Sequence, residues 1–178
     1  LFDTSFFAVS PAEAMAMDPQ QRCCLEHGYE ALHAAGIGKS ELNGADGGVY
    51  LGFSCQDCAT VLQGTAVKTS VYSATGSSQS IASGRLSFAL GLQGPCASYD
   101  TACSAALTAA HAGWLACRLA ECTSALVCGV NLILVPTASL SCATAGMTSA
   151  LGRCHTFDAR ADGYARSGAC AAAESAPR

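Results

Sequence analysis

The sequence predicts a layered α/β fold, and three observations carry that prediction. Helical and strand-like patterns alternate along the chain, the order expected of a sheet covered by helices. A short strand-like run, Cys96-Ala97-Ser98-Tyr99, passes directly into a long helical pattern that reaches about Arg118. Finally, 51% of the residues are hydrophobic and only 12% are charged, about half the usual ~25%. So few charges leave little surface to solvate, which implies that some outer faces are covered by a partner or by further chain.

A chain of 178 residues is long enough to bury a substantial core as one domain. It starts at Leu1 and stops at Arg178 without a closing element. Residues 1–178 therefore read as a piece of a longer protein, truncated at both ends, with any targeting signal out of view. Residues 1–10 are aromatic and irregular. Asp18-Pro19 opens a helix, Asp as N-cap and Pro in the first turn, which runs to about Ala35 and stops at Gly36. Residues 37–47 read as a loop and residues 48–53 alternate as a strand. Residues 54–75 are polar and read as a surface excursion. Ser77 to Leu90 reads as one helix ending at Gly91, with Gly76-Ser77-Ser78 as its capping segment in preference to a phosphate cradle, since the Lys and spacing of a P-loop are missing. Residues 124–131 form a buried strand, a helix or turn starts at Pro136, and Leu151-Gly152-Arg153 opens the last loop.

The strand-to-helix junction is Asp100-Thr101-Ala102-Cys103-Ser104. A thiol there meets the unpaired N–H groups and positive end of the helix, which favour thiolate over thiol. Small neighbours permit a tight turn and an approaching substrate, as in the elbow that presents a hydrolase serine. Leu107, Ala110, His111, Trp114 and Leu115 share one helix face. Ala105, Thr108, Ala109, Ala112, Gly113 and Ala116 share the other. A helix without a polar face is expected to be buried on all sides, a rigid mount for a reactive atom.

Together these stretches resemble the β-ketoacyl synthase (ketosynthase) domains of polyketide and fatty acid synthases. The junction matches that family's active-site motif. Asp18-Pro19-Gln20-Gln21-Arg22, Gly48-Val49-Tyr50-Leu51-Gly52, Ile81-Ala82-Ser83-Gly84-Arg85-Leu86 and Gly152-Arg153-Cys154-His155-Thr156-Phe157-Asp158 with Ala161-Asp162-Gly163-Tyr164 match others, in the family's order. Two departures stand out: Ala105 replaces a usual serine, and Ser167-Gly168-Ala169 replaces Gly-Glu-Gly. The resemblance implies a thiolase-like α-β-α-β-α fold, of which residues 1–178 would be roughly the N-terminal half. It implies decarboxylative Claisen condensation of an acyl thioester with a malonyl unit through an acyl-cysteine at Cys103. It further implies acyl carrier protein as partner, with phosphopantetheine on that partner and no cofactor or metal on this chain, and a homodimer with Cys96–Tyr99 at its interface. An intracellular setting, cytoplasmic or plastid, follows. A tunnel-shaping subunit without activity and a cysteine hydrolase are the rival readings. The intact Cys103 argues against the first, and the lack of a clear base near it against the second.

Other reactive residues read more plainly. The family's pair of catalytic histidines lies C-terminal to anything here, so none of the four histidines is promoted to that role. His27 and His33 read as surface or partner-facing, His111 as a core histidine and His155 as a loop cation. Asp158 and Asp162 read as loop organisers before acid–base catalysts or metal ligands. Twelve cysteines, several inside apolar runs, read as small hydrophobes in a reducing setting. Cys55-Gln56-Asp57-Cys58 lacks the second half of a zinc site and any thioredoxin-like context. With nine Lys and Arg, a net charge of −4 and no basic run, nucleic acid is an unsuited partner. The longest apolar run, Ala125 to Val135, holds Asn131 and is too short to span a bilayer.

Overall fold

The structure, a computed structural model, describes residues 2–54 and 57–176. The first half of the Cys55–Cys58 motif lies outside the described residues. Four strands form one sheet: Gly47–Phe53 (β1), Cys96–Tyr99 (β2), Ser124–Asn131 (β3) and Ala169–Ser175 (β4). Their order is β2-β1-β3-β4. The first three are parallel, and β4 runs antiparallel beside β3. The helices are Pro11–Ala16 (α1), Pro19–Ala34 (α2), Lys39–Leu42 (α3), Asp57–Val61 (α4), Ser73–Ser77 (α5), Gln79–Leu90 (α6), Ala105–Arg118 (α7) and Thr137–Thr144 (α8). Single 3-10 turns occupy Ala66–Thr69 and Ala102–Ser104.

Helix ends follow their local chemistry. The Asp18 carboxylate accepts from the Gln20 N–H at 2.8 Å and starts α2, and the chain leaves that helix through Gly36 at φ +86°. Gly91, at φ +75°, ends α6 in the left-handed conformation that glycine adopts without penalty.

Alternate residues of the same strands meet two different layers. Val49, Leu51 and Phe53 of β1 join Leu126, Cys128 and Val130 of β3 in a core with Leu25 and Leu32 of α2 and Leu86 and Leu90 of α6. On the opposite side, Tyr50 of β1 and Ala125 of β3 meet Ala109, Ala116 and Cys117 of α7. Both sides of β1 are buried along its whole length, as in a strand covered by helices on both faces.

The first layer also buries a polar network. The Gln20 carboxamide oxygen accepts from the Leu132 N–H at 2.9 Å, just beyond β3. Gln21 donates to the carbonyls of Thr75 and Ser78 and accepts from Arg85 Nε at 2.8 Å. Arg85 in turn pairs with Glu13, and Arg22 donates to the Ala14 carbonyl at 2.8 Å. Residues of two sequence motifs thus tie α1, α2, α5, α6 and the end of β3 together.

Several expectations need correction. The helix expected from Ser77 to Leu90 starts two residues later, at Gln79, because Ser78 is extended and Ser77 closes α5 instead. Ser78 stands at the N-cap, but its hydroxyl meets Ser80 at 2.8 Å and caps nothing. Gly76 is there for close approach: a Cβ on it would stand 2.1 Å from the Ala16 carbonyl oxygen. The 37–47 loop contains α3, and the 54–75 excursion contains α4, a 3-10 turn and the start of α5. The Asp57 carboxylate in α4 accepts from the N–H groups of Leu134 and Val135, which fixes that excursion. The sequence signals no strand at 169–175, because its alanines and cysteine lack β-branched side chains; β4 forms on the template of β3. Most telling, α7 is not buried on all sides. Its small-residue face packs on the sheet, while Leu107 is 74% exposed and Trp114 48%. His111 is exposed as well, its ring stacked on Trp114 at 6.1 Å, and is not a core residue.

Candidate active site

The close packing of α7 begins with glycine. Gly52 and Gly129 are register partners on β1 and β3. A Cβ on Gly52 would lie 2.4 Å from the Ala106 nitrogen, and one on Gly129 2.7 Å from the Ala106 Cβ. Gly113 meets Tyr50 and Val127 farther along the helix. Small residues on both partners therefore let the first turn of α7 rest directly on the sheet.

That contact fixes the junction that precedes it. β2 ends at Tyr99, and the 3-10 turn Ala102–Ser104 leads into α7. Ala102 has φ +55°, a left-handed conformation that costs a non-glycine residue about 1–2 kcal/mol. The Asp100 carboxylate accepts from the Ala102 N–H at 3.1 Å and holds the bend. Cys103 follows and is exposed. Ser104 is the N-cap of α7, yet its side chain makes no bond to the helix; its hydroxyl donates backward to the Thr101 carbonyl at 2.9 Å.

Cys103 faces a cavity of about 1210 Å³. The cavity lies where β1, β2 and β3 end, for it touches Ser54, Asp100 and Asn131. In open α/β sheets, ligands bind outside such carboxyl ends. Alanines of α7 and β4, Ala106 and Ala171 among them, make much of its wall apolar, and Tyr164 and Arg166 supply polar groups. Two segments close the rim. Ser149 donates to the Tyr164 carbonyl and Tyr164 to the Met147 carbonyl, each at 3.0 Å. Gly163, at φ +135°, permits this: a Cβ there would stand 2.5 Å from the Ser149 nitrogen. Arg166 Nε donates to the Ser139 hydroxyl on α8 at 3.1 Å.

Of the motif residues named from sequence, the cavity holds Gly52, Asp100, Ala102, Cys103 and Tyr164. It excludes all four histidines. His27 pairs with Glu30 at 2.7 Å, and that carboxylate raises the pKa of the imidazole. His33 is exposed beside Tyr29, and His155 lies in the 153–158 loop. Asp158 accepts from the Arg160 backbone N–H and guanidinium, which holds its carboxyl below the usual range. It organises its loop, as expected. Among the described residues, no cluster of three or more His, Cys, Asp or Glu could hold a metal ion.

Two cavity residues escape a reading of the sequence. Asn131 is visible there only as a lone polar residue at the end of a buried strand, which is where such sites form. Arg166 carries no signal, since only the fold brings residue 166 near residue 103. Cys96 and Cys154 are exposed as Cys103 is but do not line the cavity, and several other thiols are buried. Cys58 and Cys117 are buried, and burial pushes each thiol up to about 11. The thiol of Cys24 lies against Cys128 and Cys170, which raise its pKa further, together with its burial.

Comparison with known proteins accords with this geometry. Residues 1–173 match the family model of the β-ketoacyl synthase N-terminal domain. A phenolphthiocerol/phthiocerol polyketide synthase polypeptide of Mycobacterium tuberculosis is 45% identical over 167 residues, 93% of this chain and 8% of that protein. Erythronolide synthase EryA2 of Saccharopolyspora erythraea is 42% identical over 171 residues, 96% of this chain and 5% of that protein. Among solved structures, the ketosynthase from module 6 of the bacillaene synthase of Bacillus subtilis 168 superposes with a TM-score of 0.85 at 38% identity, over 97% of this chain and 29% of that one. The oxazolomycin ketosynthase domain OzmH KS7 of Streptomyces albus JA3453 gives 0.85 at 32% identity, over 99% and 31%. The chain thus has the thiolase-like fold of ketosynthases and spans under a third of the two ketosynthase structures.

Proposed function

Because the chain belongs to the β-ketoacyl synthase family, we propose that it supplies the acyl-accepting half of a condensing site in polyketide assembly. The observation that carries this reading is the exposed Cys103 thiol, held in a strained turn at the start of α7 and open to a largely apolar cavity. In the proposed reaction Cys103 Sγ attacks the carbonyl of an acyl thioester on an acyl carrier protein. The acyl group passes to the cysteine and the carrier's phosphopantetheine thiol leaves with the proton. A malonyl thioester then loses CO₂, and its enolate attacks the acyl-cysteine. A β-ketoacyl thioester forms on the carrier, and Cys103 leaves as thiolate and takes up a proton. The thioester oxygen is met by backbone N–H groups at the start of α7, which carry no side-chain cap. The enolate is left to the family's histidine pair, for which no histidine here stands in the right place.

Polyketide assembly is favoured over fatty acid synthesis because the relatives and structures above carry polyketide synthase names. The largely apolar cavity suits an acyl chain and the phosphopantetheine arm. Carrier proteins and acyl-thioester intermediates belong to the cell interior, the setting assigned here. Among the described residues, no helix is long and apolar enough to cross a membrane.

β2 is the outer strand of the sheet on its side, and we assign its free edge to contact with a second copy. Sedimentation of the intact synthase at micromolar concentration is expected to show a dimer; a monomer overturns that assignment.

The central test is mass spectrometry of the intact synthase carrying this chain, after incubation with an acyl thioester. Acylation is expected at Cys103, absent in Cys103→Ala and weak in Cys103→Ser, because an alkoxide is far harder to form than a thiolate. Cys58 and Cys117 should stay unmodified, since a thiol at about 11 is ionised in only about one molecule in a thousand at pH 8. An acyl group mapped to Cys58, or loading that survives Cys103→Ala, refutes the assignment.

A further inference from the structure

Three hydroxyls under the Cys103 turn form a closed set that no motif above explains. Thr108, one turn into α7, donates to the Ser104 carbonyl at 3.1 Å. Its oxygen lies 3.1 Å from the Thr101 hydroxyl. The Ser104 hydroxyl lies 2.9 Å from both the carbonyl and the hydroxyl of Thr101. One arrangement of protons satisfies all three groups: Thr108 to the Ser104 carbonyl, Thr101 to the Thr108 hydroxyl, and Ser104 to the Thr101 carbonyl. The residues so joined, Thr101 and Ser104, flank Ala102 and Cys103 on both sides.

The turn needs such a hold. Ala102 sits in a left-handed conformation that alanine leaves readily when released, and relaxation there swings the next residue, Cys103. The Asp100 carboxylate restrains the bend from the strand side. From the helix side the restraint is Thr108, whose own backbone is fixed in α7, where the small-residue face rests on the sheet. Thr108 lies outside the set of residues lining the cavity, so it acts on the thiol through the turn. We propose that Thr108 is a positioning residue that sets the direction of the Cys103 thiol, an inference that rests on Cys103 being the acyl acceptor.

The test is loading of the intact synthase with an acyl thioester, followed by intact-mass spectrometry over time at several thioester concentrations. Thr108→Val keeps the shape and removes the hydroxyl. It is expected to load about threefold to tenfold more slowly at saturation, the factor expected from one or two modest hydrogen bonds. The half-saturating concentration should stay unchanged. Thr108→Ser should restore the rate. If Val disturbs folding, Thr108→Ala and Thr108→Ser form the comparison, since they differ by one hydroxyl, and Ser should again be faster. Loading of Thr108→Val at the wild-type rate, or of Thr108→Ser as slowly as Val or Ala, overturns the proposal. Cys103→Ala, run alongside, separates the two ideas: if it still loads, the acceptor is another residue, whereas wild-type loading in Thr108→Val with none in Cys103→Ala removes only the role of Thr108.

Discussion

The two faces of the sheet are built from alternate residues of the same strands, yet they do opposite things. Toward α2 and α6, β1 presents Val49, Leu51 and Phe53, and β3 presents Leu126, Cys128 and Val130. Toward α7 the same strands present Gly48, Tyr50 and Gly52, and Ala125, Val127 and Gly129. The first face buries large side chains and seals a polar network beneath them. The second replaces side-chain depth with closeness, so that helix backbone nearly touches strand backbone at Gly52. Large aliphatic layers supply the hydrophobic term but tolerate small shifts of the helix. A backbone-to-backbone seat supplies less burial and far less freedom. The reactive turn grows from the second face, where position matters more than stabilisation.

This difference is open to direct attack, and a large loss of stability without loss of loading is expected on the first face. Leu51 is fully buried, and Leu51→Ala should cost about 2–5 kcal/mol, measured by chemical denaturation of the intact synthase. Acyl loading per folded molecule should barely change, because α7 does not rest on that side chain. Gly52→Ala should cost about 1–3 kcal/mol or more from overpacking, because the new Cβ meets helix backbone, which cannot give way as a side-chain end can. Its loss of loading should exceed that of Leu51→Ala, since the new Cβ lands 2.4 Å from the Ala106 nitrogen and pushes the first turn of α7 away. If the folded Leu51→Ala protein loads as poorly as Gly52→Ala, the two faces do not divide their roles in this way.

The same contrast explains what is legible in the sequence. Helix and strand limits marked by Asp18-Pro19, Gly36 and Gly91 are readable because caps and left-handed glycines are local chemistry. β3 is readable from its apolar run, and the Cys103 turn from its motif. The orientation of α7 is not. Leu107, Trp114 and Leu115 look like the buried face by hydrophobicity, but the glycines of β1 and β3 leave room only for Ala105, Ala106, Ala109 and Gly113. The inward face is chosen by fit to a partner that is distant in sequence. β4 is hidden for a related reason: its alanines have little strand preference, and its pairing with β3 is what makes it a strand. Arg166 and Asn131 reach one cavity only once those strands are in place. The low charge content points to covered outer faces, and the outward row on α7 is one part of the exposed apolar surface, with Phe88 of α6 and Leu140 of α8 among the others.

The smallest expected effect concerns the polar network under the first face, and it carries a sign that tests whether that face is truly dry. Asp18 is 1% exposed. Burial raises its pKa, partly offset by the bonds from Gln20 and the charge of Arg22. The folded state therefore holds the proton more tightly than the unfolded chain does. Stability linked to this group is fully present below about pH 3.8, the ordinary value, and falls as pH rises through the raised folded value. That slope is opposite to the one a salt-bridged carboxylate gives. Asp18→Asn keeps an oxygen to accept from the Gln20 N–H, and Asn and Asp are comparable N-caps, so stability at neutral pH should change by less than about 1 kcal/mol. The difference between variant and wild type should nevertheless grow in the variant's favour as pH rises above about 3.8. Urea unfolding at several pH values measures it. A difference that stays flat with pH would mean that the Asp18 carboxylate is solvated and this layer wetter than its burial implies, and one that moves toward the wild type would mean that the carboxylate is firmly paired.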